Sequence, residues 1–265
     1  MLARSFIRRY SVTHKVPGFG SFTGPVGPST QSQYWIKSTP FIPNSHFDVI
    51  VIGGGHAGSE AAAASARCGA NTLLLTHKLS TVGVLSCNPS IGGIGKGHVA
   101  KEIDALGGLM GIATDASGIH FKILNESKGK AVQGPRAQVD RELYRKSIQE
   151  QLNNIPSLTV MEASVDDLIV DTNTDSVKGI ITESGEKVFA PNVILTTGTF
   201  LGGIIWIGQH QMPAGRFGDK AATAMSKTLG KYEFPLGRLK TGTPARLCRK
   251  SIVFDNLEKQ ESDFN

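Results

Sequence analysis

Apolar and polar positions follow several different rhythms along the chain. Residues 47–52, FDVIVI, are apolar at every position except Asp48. A short β-branched run of this kind predicts a strand buried on both faces, as in parallel sheets. It gives way to Gly53, Gly54, Gly55, His56, Ala57 and Gly58, then to the alanine-rich SEAAAASARCGA, a strong helix former that stops near Gly69. Residues 71–76, NTLLLT, are a second apolar run, so strand, glycine turn, helix and strand follow within about 30 residues. Residues 158–190 mix β-rich runs with turn signals at Asn173, Asp175 and Gly185, which predicts a small antiparallel meander. Residues 192–200, NVILTTGTF, form another apolar strand that ends in Thr-Gly-Thr. No run reaches the ~18 apolar residues of a membrane span.

Glycines at 53, 55 and 58 give G-x-G-x-x-G directly after a strand and at the start of a helix. The first permits a tight turn, the second lets a pyrophosphate approach the backbone, and the third lets helix and strand pack closely. The helix N-terminus then offers free N–H groups to a diphosphate. Dinucleotide binding is the reading this context supports. The second strand runs into Thr76, His77 and Lys78 where an acidic residue would hold the ribose. Lys78 is either a partner for a 2′-phosphate or a solvated turn lysine. The strand ending at Thr197 and Gly198 is a second place where the backbone can pass close to a dinucleotide. A similar returning strand occurs in two-dinucleotide flavoproteins, which favours FAD as the first cofactor. The predicted architecture is α/β: a Rossmann-like FAD-binding domain of the two-dinucleotide flavoprotein type, with an antiparallel meander and the start of an inserted domain.

Charge divides the chain. The net charge is +6, yet residues 1–47 hold Arg4, Arg8, Arg9, Lys15 and Lys37 with no acidic residue. An acid-free, Arg- and Ser-bearing N-terminus has the marks of a mitochondrial or plastid transit peptide, or else of a basic tail. Residues 17–45 are rich in Pro, Gly and Ser and read as a linker, so the folded part is expected to begin near Phe47. Residues 200–250 hold nine basic residues against Asp219 and Glu233. Lys122, Lys128, Lys130, Arg136 and Arg141 form a looser basic cluster. Such stretches suit a polyanion. The expected domains are 1–46, targeting peptide and linker; 47–200, FAD-binding; and 201–265, the start of a basic inserted domain. The three cysteines, at 68, 87 and 248, form no C-x-x-C pair, and no metal site is expected. Cys68 is expected to be buried packing within the alanine-rich helix.

Residues 86–98, SCNPSIGGIGKGH, resemble a nucleotide phosphate loop but lack its first glycine and the hydroxyl after the lysine. With the diphosphate assigned to residues 53–58, the stretch reads instead as a loop on the ligand-bearing edge of the sheet, beside a flat ring. Asn88, Gly92 and Gly93 are then candidate cofactor contacts. Cys87 is either a reactive thiol there or a small structural residue, and Lys96 or Lys101 could favour its thiolate.

FDVIVIGGGHAGSEAA, TLLLTHKLSTVGVLSCNPSIGGIGKGHVAKEIDALGGLMG, GIHFKILNESKGKAVQGPRAQVDRELYR and GRLKTGTPAR together resemble the MnmG/GidA family of tRNA-modifying flavoproteins, in its mitochondrial branch. The resemblance runs from about residue 47 to 250. It implies FAD-dependent modification of the tRNA wobble uridine (position 34) at C5. A carboxymethylaminomethyl or taurinomethyl group would be installed together with an MnmE-type GTPase. NADH would act as reductant and methylene-tetrahydrofolate as one-carbon donor, in the mitochondrial matrix, with a homodimer at full length. By position, residues 53–58 match the FAD diphosphate turn, Val165 a flavin-contact position, and Cys87 a cysteine held to act in the chemistry. Arg216, Lys220, Arg238, Lys240 and Arg246 are the tRNA-binding candidates. The chain departs from the family at Pro213, where a flavin-contact serine is expected, and at Gln133, where an arginine is. Family members are longer, so the chain reads as an N-terminal fragment. Its other readings are a folate-dependent tRNA uracil-5-methyltransferase, a small-molecule FAD/NAD oxidoreductase, or a fragment inactive alone.

Overall fold

The structure, a computed structural model, describes residues 35–263 apart from 208, 217, 218, 220, 243, 244 and 246. Beside short 3-10 turns, the elements are β1 (Val49–Ile52), α1 (His56–Arg67), β2 (Thr72–Thr76), β3 (Ser90–Gly92), α2 (Lys96–Ala105), α3 (Leu109–Ser117), β4 (Gly118–Leu124), β5 (Gly134–Val139), α4 (Arg141–Asn153), β6 (Leu158–Glu162), β7 (Val165–Asp171), β8 (Ser176–Thr182), β9 (Lys187–Phe189), β10 (Asn192–Leu195), β11 (Ile204–Ile207), β12 (His210–Pro213) and α5 (Thr223–Lys231).

The central sheet has the order β10-β1-β2-β6 and is parallel throughout. Successive residues of its inner strands feed opposite faces. Val51 and Leu74 join Ala62, Ala63, Tyr144, Ile148 and Leu152 of helices α1 and α4. Ile50, Ile52, Leu73 and Leu75 join Met161, Ile180, Val188 and Met225 on the other side. This double burial is why FDVIVI shows no polar alternation. The meander β7-β8-β9 and helix α5 cover the second face, and Thr228 Oγ1 donates to Asp167 Oδ1 at 2.6 Å between them. A further antiparallel sheet, β3-β5-β4, carries the end of the cysteine loop.

The structure corrects three sequence expectations. Residues 158–162 belong to the parallel sheet as β6, not to the meander. They form its edge and are only partly covered, so their pattern lacks the continuous apolar signal of β1. The chain also packs before Phe47: Ile36 is buried, and the fully buried Gln149 accepts from Trp35 N at 2.7 Å and Ile36 N at 3.2 Å. Cys68 lies exposed just past the end of α1 rather than inside it. Within the region expected to open an inserted domain, Met225 of α5 is part of the core, whereas residues 232–248 form no helix or strand among those described. No described helix is long and apolar enough to cross a membrane.

At Gly58 a Cβ would lie 2.7 Å from Thr196 Oγ1 and closer still to the Gly53 carbonyl, whereas one at Gly55 would meet nothing within 4 Å. Gly58→Ala should therefore destabilise the fold by about 1–3 kcal/mol through overpacking. Gly55→Ala should leave stability unchanged, and chemical denaturation compares the two. Helices α2 and α3 carry a second strain: burial, then Asp104, raises the Asp115 carboxyl pKa to about 7. Because that value lies above the unfolded one, the stability contribution is full below about pH 4 and is lost as pH rises through 7. Asp115→Asn should remove this decline, which denaturation midpoints between pH 4 and pH 8 measure.

Candidate functional site

The sheet order places a topological switch between β1, whose crossover leads to β2, and β10 on its other side. Ligands of open α/β sheets bind at the carboxyl ends of strands at this point. Gly53 leaves β1 with φ +109, a conformation that favours glycine. Its N–H donates to Leu75 O at 2.8 Å. From β10, Thr196 N donates to Ile52 O at 2.9 Å, and Thr196 Oγ1 reaches Ile52 O at 2.7 Å and Gly53 O at 3.1 Å. Helix α1 begins after Gly55 with no side-chain cap. Its first amides have no intrahelical partner and meet the positive end of the helix dipole.

A cleft of about 1130 Å³ opens at this edge. Residues 53–56, 76–78, 163–166 and 196–200 line it, so Val165, Thr197 and Gly198 join Gly53, Gly54, Gly55 and His56. Ala57 and Gly58 are not on its wall; the use of Gly58 is the close packing described above. Burial, assisted by Lys96, lowers the His56 imidazole to about 4, so it is neutral at pH 7. Its ring meets Tyr144 edge-on, with centroids 5.8 Å apart. The arrangement fits a diphosphate-linked dinucleotide: uncapped helix amides, open space at Gly55 and a roomy cleft beside them. Thr76, His77 and Lys78 all line it, with no carboxylate at the end of β2.

Another part of the wall comes from the cysteine loop. Cys87, Asn88, Gly92 and Gly93 all line the cleft, and the Cys87 thiol is free and exposed. The stretch is partly regular: β3 pairs antiparallel with β5, and α2 starts at Lys96. Gly92 has φ +99, and a Cβ there would collide with the Pro135 carbonyl. Burial lowers the pKa of Lys96, while Cys87 acts on it in the opposite sense, so the amine and the thiol lie within electrostatic reach. Arg141 holds the loop itself. Its Nη1 donates to Leu85 O at 2.7 Å and its Nη2 to Cys87 O at 2.5 Å. Arg141 is placed there because Asp140 caps α4, accepting from Glu142 N and Leu143 N at 2.9 Å each. The Asp-Arg pair before an amphipathic run was the available sequence signal for this contact.

Some of the expected basic side chains are engaged within the protein, while the described ones at 227–250 are exposed. In the looser cluster, Lys122 pairs with Asp263, Arg141 binds the cysteine loop, and Arg136 lines the cleft. Arg216 also lines the cleft, bound to Asp219 at 2.8 Å and lying over the Phe200 ring. Arg238 is exposed and donates to Gly202 O at 2.8 Å, and Lys240 is exposed. Lys220 and Arg246 lie outside the described residues. No cluster of potential metal ligands occurs among those described.

Residues 48–265 match the family model described as "Glucose inhibited division protein A". The chain is 54% identical over 224 residues to the mitochondrial 5-taurinomethyluridine-[tRNA] synthase subunit MTO1 of Macaca fascicularis, covering 82% of this chain and 32% of that protein. It is 53% identical over 218 residues to the tRNA uridine 5-carboxymethylaminomethyl modification enzyme MnmG of Granulibacter bethesdensis, covering 82% of this chain and 35% of that protein. Among solved structures it resembles Aquifex aeolicus GidA, with TM-score 0.77 and 49% identity over 83% of this chain and 36% of that one. The chain thus spans about a third of the length of the curated relatives it matches. The long cysteine-loop and glycine-turn motifs fall within the matched residues, and the chain belongs to the glucose inhibited division protein A family.

Proposed function

We propose that this chain forms the FAD-binding part of a flavoenzyme that modifies the tRNA wobble uridine at C5. The observation that carries the reading is that the uncapped glycine turn and the Cys87 loop line one cleft. Identity above 50% to relatives named for uridine modification supports this substrate class. The substituent would be of the carboxymethylaminomethyl or taurinomethyl type. NADH, methylene-tetrahydrofolate, an MnmE-type GTPase and a homodimer at full length complete the reading by family resemblance. A mitochondrial location, in the matrix, accords with the mitochondrial relatives and the basic N-terminus.

FAD, when bound, would supply two-electron redox chemistry. The chain's own residues do the rest. The amides at the start of α1 would hold the diphosphate, with Gly55 leaving the approach open. Arg141 fixes the backbone on both sides of Ser86 and so holds the chain that carries Cys87. Burial lowers the Lys96 pKa from its ordinary value, so it would give up a proton to a group near Cys87 more readily than an ordinary lysine. Exposed Lys227 and Lys240 would meet RNA phosphates, while the target uridine must leave its stack to enter the cleft.

In full-length protein, the purified enzyme should be yellow, and mass spectrometry of tRNA nucleosides should show the C5 substituent at the wobble position. A colourless wild-type protein, or unmodified tRNA, overturns the reading. Cys87→Ser should keep FAD absorbance while slowing modification by about a hundredfold or more, the scale of losing one positioned catalytic group. Full activity in that variant would reduce Cys87 to packing. Gly55→Val should lose FAD on dialysis, although its apoprotein melts like the wild-type apoprotein.

A further inference from the structure

Arg136 is a charged group of the cleft that the fold leaves unanswered. It sits on β5, opposite Gly92 on β3 and Lys122 on β4. Its side chain lines the same cleft as Cys87 and Lys96. Its Nε is shut off from solvent and has no hydrogen-bond partner. The neighbouring cations are engaged: Lys122 with Asp263, Arg216 with Asp219, and Arg141 with the carbonyls of Leu85 and Cys87. Among the described residues no carboxylate pairs with Arg136. The enclosed Nε offers no approach of its own; the terminal nitrogens of the guanidinium, which no described carboxylate engages, are left for a ligand of the cleft, whose acceptors would offset the cost of a charge withdrawn from water.

We propose that Arg136 is the recognition point for the anionic end, carboxylate or sulfonate, of a small amine substrate. The proposal rests on the uridine-modifying reading above. The relatives' names describe carboxymethylaminomethyl and taurinomethyl groups, each an aminomethyl unit that ends in an acid. A planar guanidinium can give two parallel N–H bonds to either acid, which an ammonium point charge does not. The diphosphate does not require this charge, because the glycine turn and the α1 amides provide for it at another part of the cleft. Nucleic-acid phosphates are met by exposed side chains such as Lys227 and Lys240, whereas the Arg136 Nε is enclosed. The amine of the same ligand would then lie toward Lys96 and Cys87, which share the cleft.

The test uses full-length protein reconstituted with its GTPase partner and tRNA, in wild-type, Arg136→Gln and Arg136→Lys forms. Taurine and glycine are titrated, with visible FAD absorbance and tRNA gel shifts recorded in parallel. In Arg136→Gln the half-saturating concentration of the amino acid should rise about tenfold or more, as expected when a charge-assisted contact is cut. Arg136→Lys should fall between this and wild type, with FAD content and tRNA affinity unchanged in both. Unchanged amino-acid saturation overturns the proposal. Loss of FAD assigns Arg136 to the cofactor, and a weaker tRNA complex with a shallower salt dependence assigns it to phosphate; both also overturn it. Should wild-type protein modify no tRNA, the uridine-modifying reading fails. Saturation-transfer NMR with taurine then decides the site alone: binding to wild type and not to Arg136→Gln supports it, and equal signals overturn it.

Discussion

No side chain fits between helix α1 and the turn that feeds it. Gly58 packs so closely on the Gly53 carbonyl and Thr196 Oγ1 that a single methyl would part them. That contact seats the start of the helix at the switch point between β1 and β10. Thr196 completes the seat from the far strand, bonding to both Ile52 and Gly53 carbonyls. With three strand ends drawn together, the cleft gains its floor, and the uncapped amides of α1 meet whatever occupies it. The motif's third glycine thus acts without touching the cleft, and its second acts by leaving space.

The cysteine loop depends on a different anchor. Its likeness to a phosphate loop is local, since the strand within it, β3, pairs antiparallel with β5 and is not part of the central sheet. The start of α2 is also partly closed: His98 Nδ1 accepts from the Gly95 amide at 3.3 Å, and its Nε2 lies 2.9 Å from the Ala131 carbonyl. A helix start occupied in this way is a poor phosphate cradle, whereas α1 has no such side chain. Arg141, positioned by the Asp140 cap of α4, ties the loop to the layer of helices behind it. Cys87 therefore faces the cleft from a backbone held at two carbonyls.

Much of this was legible in the sequence where one local rule sufficed. The run at 47–52, the glycine turn, the alanine-rich helix and the strand at 192–195 follow from periodicity and turn chemistry, and they gave the α/β class and one wall of the site. What stayed hidden depends on distant partners. Strand β6 looks like part of a meander because it is a half-covered edge, and only its pairing with Thr72–Thr76 shows its place. Trp35 and Ile36 sit in a Pro- and Gly-rich stretch, and their order comes from Gln149, more than a hundred residues away. Cys68 falls one residue outside the helix, because the alanine pattern runs on to Gly69 while the helix ends at Arg67.

Charge counting was an uneven guide, for a physical reason. A basic residue in sequence carries no sign of whether its charge faces solvent, an acid or a carbonyl. Arg216 pairs with Asp219, Lys122 with Asp263 and Arg141 with the cysteine loop. Lys128, Lys130, Lys227, Arg238, Lys240 and Lys250 are exposed. Exposed cations of this kind give salt-sensitive and sequence-blind attraction to a polyanion. The cleft adds a neutral His56, a lysine whose pKa burial lowers and an arginine whose buried Nε has no partner. Three cationic residue types thus stand in three different electrostatic settings around one cleft, a distinction the overall charge of +6 cannot express.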